Sequence, residues 1–182
     1  EAAIRNQAQA VLLVGSQIAY FVQHPKYMTL HRVEFILSNR LRERLALQIM
    51  YMVGYNHFHG KLPWTLDGIV EHLDLPGEPV LRMIRVLVDA GYLAEIINDS
   101  TPVYLPVHDI GTIRLVDLLA DIRAARETRF LSMQQLMPVP AIDQLTTVIN
   151  ASCQDALGER TLKSLVQDAD VALESQVPEA QE

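Results

Sequence analysis

The stretch that decides the fold is Trp64-Thr65-Leu66-Asp67-Gly68-Ile69-Val70-Glu71-His72-Leu73-Asp74-Leu75-Pro76-Gly77-Glu78-Pro79-Val80-Leu81-Arg82-Met83-Ile84-Arg85-Val86-Leu87-Val88-Asp89-Ala90-Gly91. Thr65 stands where a helix N-cap belongs, and Leu66, Ile69, Val70 and Leu73 recur at the spacing of one helical face, so a helix of about two turns follows it. Asp74-Leu75-Pro76-Gly77 is turn chemistry. Pro79 suits the first turn of a second helix, where its missing donor costs little, and Gly91 suits that helix's C-terminal cap. Two short helices joined by a tight turn make a helix-turn-helix.

Outward from this stretch the pattern continues on both sides. Upstream, Leu41, Leu45, Ile49, Met52 and Val53 repeat at three and four residues, with Arg42, Glu43 and Gln48 elsewhere on the wheel, predicting an amphipathic helix from Arg40 to about Gly60. Downstream, residues 92–97 and 103–105 suit strands, and Asn98-Asp99-Ser100-Thr101-Pro102 suits the turn between them. The expected fold is therefore mainly α: a winged helix-turn-helix with a small two-stranded β wing, flanked by N- and C-terminal helices. The expected domains are 1–39 (an N-terminal helix ended by Pro25, then a connector), 40–130 (the winged module), 131–173 (C-terminal helices with a possible dimerisation role) and 174–182 (a disordered tail). Within them, Thr112 is expected to cap a helix running to about Arg129, residues 141–157 form another, and Thr161 caps the last.

The bulk numbers narrow the function. A net charge of −7 and a pI near 5.3 are the wrong sign for a broad nucleic-acid grip, so any such contact has to be local. Residues 40–105 hold six Lys or Arg against eight Asp or Glu. On the second helix of the pair, Val80, Met83, Ile84, Leu87 and Val88 are expected to face the core, leaving Glu78, Arg82, Arg85 and Asp89 outside. Arg82 and Arg85 are the candidate nucleic-acid or partner contacts, and the surrounding acids favour partner contact or plain solvated surface over DNA.

No catalytic residue, metal ligand or cofactor is indicated. His57 and His59 are two apart, which on a helix points the rings to different faces, and no further ligand motif accompanies them. The one cysteine, Cys153, permits no intramolecular disulfide and has no basic neighbour in sequence to activate it. Trp64 reads as a core anchor. The P-loop, the dinucleotide fingerprint and the G-x-S-x-G motif are all missing from the sequence.

Two resemblances follow from these pieces. Thr65 to Arg123, including Asp89-Ala90-Gly91-Tyr92-Leu93 and Ile113-Arg114-Leu115-Val116-Asp117-Leu118-Leu119, resembles the DNA-binding half of the IscR and NsrR regulators, although the chain has no set of cluster cysteines. Val14-Gly15-Ser16-Gln17-Ile18-Ala19-Tyr20-Phe21-Val22-Gln23-His24-Pro25 is similar to the end of the last membrane helix in the YihY/BrkB (ribonuclease BN-like) inner-membrane proteins. With Glu1 in place of an initiator Met, this implies a cytoplasmic extension of such a protein. The leading expectation is thus a non-catalytic regulatory or interaction domain at the cytoplasmic face of a bacterial inner membrane, with a second copy or a membrane protein as partner. The alternatives are a DNA-binding transcriptional regulator of winged-helix type and, as the family label implies, a tRNA-processing ribonuclease.

Overall fold

The structure is a computed structural model that describes residues 37–98, 101–125 and 135–174. The expected first helix, Pro25, the far end of the helix expected to reach Arg129 and the tail lie outside these residues. Helix α1 (Asn39–Phe58) opens with the Ser38 hydroxyl accepting from the Leu41 amide at 3.3 Å. It buries Leu45, Ala46, Ile49, Met50, Met52 and Val53, the three-and-four pattern of the sequence, while Leu41 is 44% exposed. Strand β1 (Trp64–Thr65), helix α2 (Leu66–Leu73), helix α3 (Gly77–Asp89), strand β2 (Leu93–Asn98) and strand β3 (Thr101–Pro106) follow.

The sheet has three strands in the order β1-β3-β2, all antiparallel, not the two expected. The reason lies in the cap of α2. An N-cap residue has extended backbone, as Thr65 does (φ −90°, ψ 163°), and the otherwise unpaired edge of β3 takes up Trp64 opposite Tyr104 and Thr65 opposite Val103.

Helix α4 (Leu115–Ala124), helix α5 (Pro140–Leu157) and helix α6 (Leu162–Glu174) are the remaining elements among the described residues. Thr112 does not cap α4. Its hydroxyl and amide both bond the Asp109 carbonyl in the preceding turn, and α4 begins three residues later behind Arg114. Instead, the Leu115 amide donates to the Arg160 carbonyl and the Leu162 amide to the Ile113 carbonyl, each within 2.9 Å, tying the starts of α4 and α6 together. Thr161 and Ser164 cap α6 reciprocally, each side chain accepting from the other's amide. The core forms where α1, α2 and α3 meet Leu93 and Tyr104 of the sheet, Leu118 and Ile122 of α4, and Leu162 of α6.

One polar side chain expected on the outer face of α1 is inside. Arg42 is 6% exposed, and its Nη2 donates to the Ile122 carbonyl at 2.9 Å. That carbonyl lies in the last turn of α4, where no intrahelical amide remains to satisfy it. Packing of α4 on α1 is what converts the polar position into a buried one.

Candidate nucleic-acid interface

The geometry of α2, its turn and α3 follows from a few local bonds. The Thr65 hydroxyl accepts from the Gly68 amide at 3.1 Å, starting α2, and Trp64 locks this corner by donating its indole N–H to the Met52 carbonyl at 3.0 Å. Asp74 ends α2 with a left-handed backbone (φ 50°), a conformation Asp tolerates better than most residues, and the chain turns directly into α3. At the far end of α3, Gly91 (φ +80°) donates to the Val88 carbonyl and Tyr92 to the Leu87 carbonyl, both at 2.9 Å. This double bond pattern around a left-handed glycine is a Schellman cap, and it aims the chain into β2.

Between these ends, Val80, Met83, Ile84 and Leu87 are buried, Val88 is half-buried, and Glu78, Arg85 and Asp89 are exposed. The structure places Arg82 and Arg85 on the open side of α3, as the spacing predicts. Arg82 is ion-paired with Glu78 one turn earlier. Arg85 is exposed and has no ion-pair partner among the described residues; its charge lies close enough to the buried Tyr104 to oppose the rise in that hydroxyl's pKa caused by burial and by Glu95. Beside α3 the wing projects Ile96 and Ile97 into solvent, and neither of its strands carries Lys or Arg.

The other residues singled out in the sequence have structural partners. His59 is bonded to Asp170 of α6 (Nε2 to Oδ2, 3.1 Å) and packs its ring at a tilt against Tyr55, whereas His57 is exposed in the last turn of α1. Among the described residues no three His, Cys, Asp or Glu side chains converge. Cys153 does have a basic neighbour, supplied from 30 positions away: Arg123 Nη1 donates to its sulfur at 3.6 Å. The same guanidinium donates to Glu43 at 2.7 Å, and these two bonds, that to Glu43 first, hold Arg123 above even its ordinary high pKa. They bridge a cleft of about 590 Å³ where α1, α4 and α5 meet. Sequence spacing carries no signal for a contact between residues so far apart.

No family model and no curated protein matches the chain. Solved structures do. IscR of T. potens is 19% identical, with 78% of this chain and 90% of that one aligned at a TM-score of 0.55. The global cysteine regulator CymR of B. subtilis is 22% identical over 69% of this chain and 93% of its own, at 0.50. CymR of Staphylococcus aureus in its oxidized form is 19% identical over 71% and 96%, at 0.51. The fold is a winged helix-turn-helix. The likeness extends beyond residues 65–123, since 69–78% of the chain is aligned. The segment similar to a YihY/BrkB membrane helix lies outside the described residues, and no described helix is long and apolar enough to cross a membrane.

Proposed function

We propose that the chain is a DNA-binding transcriptional regulator of winged-helix type, with α3 as its recognition helix. This replaces the membrane-protein module as the preferred reading. The observation that carries it is the open outer face of α3, held between a capped turn and the wing, with Arg85 exposed near its centre and without an ion-pair partner among the described residues. An α-helix of this kind fits the major groove, where an arginine bonds the O6 and N7 of guanine and a carboxylate accepts from the N4 of cytosine. Arg82 and Glu78 then have a use in either hand: paired with one another when free, exchanged for base edges when bound. The regulators similar in fold support the reading, B. subtilis CymR being a global cysteine regulator.

The test is fluorescence anisotropy at low salt against a library of duplex genomic fragments. Binding to a subset is expected, with Arg85→Ala and Arg82→Ala each weakening it about 10- to 100-fold, the range of one lost bidentate base contact. Absence of any binding at low salt would remove DNA recognition from consideration.

A further inference from the structure

Helix α5 does not pack into its own body. None of its residues is buried, and Ile142, Leu145, Val148 and Ile149, three and four apart on one face, are all more than half exposed. On another face, Asn150, Cys153, Gln154 and Leu157 line the cleft of about 590 Å³ against α1 and α4. Closely packed helices leave few voids larger than a water molecule between them, and this volume falls within the roughly 300–1,000 Å³ of small-molecule sites. Room is left because Ala120 and Ala124, one turn apart on α4, line the cleft with methyl groups alone.

Val116, Leu119 and Leu157 give the cleft half-buried apolar surface. Its charged groups are Glu43, Asp117 and Arg123, and Asp117 already has an ion-pair partner in Arg114 at 3.8 Å. Arg123 is 40% exposed and so within reach of a ligand. Its Nε is committed to Glu43 Oε1, Nη1 has only the Cys153 sulfur at 3.6 Å, and Nη2 makes no bond among the described residues. A neutral sulfur is a weak acceptor, whereas a carboxylate takes two guanidinium N–H groups at once. A lone carboxylate, however, sets a second negative charge beside Glu43. An ammonium group on the same molecule offsets it, and among the described residues Glu43 Oε2 is free to accept from that group.

We propose that the cleft binds a free α-amino acid with a large apolar side chain. Its carboxylate takes the Nη donors of Arg123 in place of the Cys153 sulfur, its ammonium group donates to Glu43, and its side chain fills the space over Ala120 and Ala124. Glu43 and the Nη donors stand at one guanidinium, so the two charges of the ligand have to stand side by side, as they do on a single α-carbon. A peptide carries them at opposite ends and does not meet this condition. The bound molecule touches all three helices and fastens α5 to α1 and α4.

The inference is independent of DNA binding. Titration calorimetry of the full chain with L-leucine, L-methionine, L-phenylalanine and L-tryptophan is expected to show saturable binding of at least one. The carboxylic acid that lacks only the amino group, 4-methylpentanoic acid for leucine or 3-phenylpropanoic acid for phenylalanine, should bind wild type at least about 10-fold more weakly. In Glu43→Gln that difference should vanish. Arg123→Gln should weaken the amino acid about 10- to 100-fold, as expected for losing hydrogen bonds to a charged group. Ala120→Trp should abolish binding by filling the cleft, with an unchanged circular dichroism melt because Ala120 is exposed. Hydrogen exchange over residues 140–157 should slow on saturation. Failure of all four amino acids to bind overturns the proposal, and so does binding that survives Ala120→Trp. Equal affinity of wild type for an amino acid and its deaminated counterpart overturns the assignment of the ligand class.

Discussion

Tyr92 shows how one side chain fastens the end of α3 to the helix that follows the wing. It is the residue after the Schellman glycine, and its hydroxyl donates to Asp121 Oδ2 of α4 at 2.6 Å. Burial first, and then this bond and the negative charge of Asp121, push the hydroxyl's pKa well above its ordinary value of 10.0. A raised folded-state pKa means stability that is fully present below the unfolded value and lost as pH rises through and beyond it. Tyr92→Phe is therefore expected to cost about 1 kcal/mol at pH 8, the size of one partly exposed hydrogen bond to a charged group. The difference from wild type should shrink toward zero by about pH 11, roughly one unit above the unfolded value and so worth roughly 1.4 kcal/mol. Urea denaturation of both proteins at the two pH values measures it, and a difference that grew with pH would contradict the assignment. Arg42 and Cys153 make the opposite point at this scale, because their partners, Ile122 and Arg123, stand 80 and 30 positions away and nothing local in the sequence announces them.

Elements were legible where local chemistry decides them. Thr65, Asp74 and Gly91 bound α2 and α3 through bonds to residues within four positions, so a reading of caps and turns recovers both helices and the inward faces they present. Tertiary partners decided the rest. The third strand exists because β3 offers a free edge, and α4 starts at Leu115 because Arg160 receives its first amide. The apolar stripe of α5 was visible as a pattern, but only the fold shows that it faces away from its own body. Helix α6 gains its place by a fit with α1: Leu162 is fully buried against Gly54, where an added Cβ would come within 3.1 Å of the leucine Cδ2. Leu162→Ala is expected to lose about 2–5 kcal/mol, the cost of emptying a buried leucine site. Gly54→Ala should cost stability in the wild type, where Leu162 must shift. In the Leu162→Ala background it should add about 1 kcal/mol, since the new methyl enters the vacated space and alanine is the better helix former. Chemical denaturation of the four proteins gives the coupling, and strict additivity would show that the two sites do not touch.

The whole molecule carries a net charge of −7, and the proposed interface has to work against that field. Neither wing strand carries Lys or Arg, α2 exposes Asp67 and Glu71, and α3 sets two arginines among Glu78 and Asp89. Such a surface cannot neutralise many phosphates, so affinity has to come from base edges and fit rather than from counterion release. The salt dependence should therefore be shallow. For one module, a plot of log K against log salt is expected to have a slope of about −2 to −4, where a protein making eight or more phosphate contacts gives −7 or steeper. A loss of affinity without a change of slope on replacing Arg85 by Ala would place that arginine on a base, and a slope shallower by about 1 would place it on a phosphate. A slope of −7 or steeper in the wild type would mean that the main contact surface is basic and lies elsewhere than α3 and its wing.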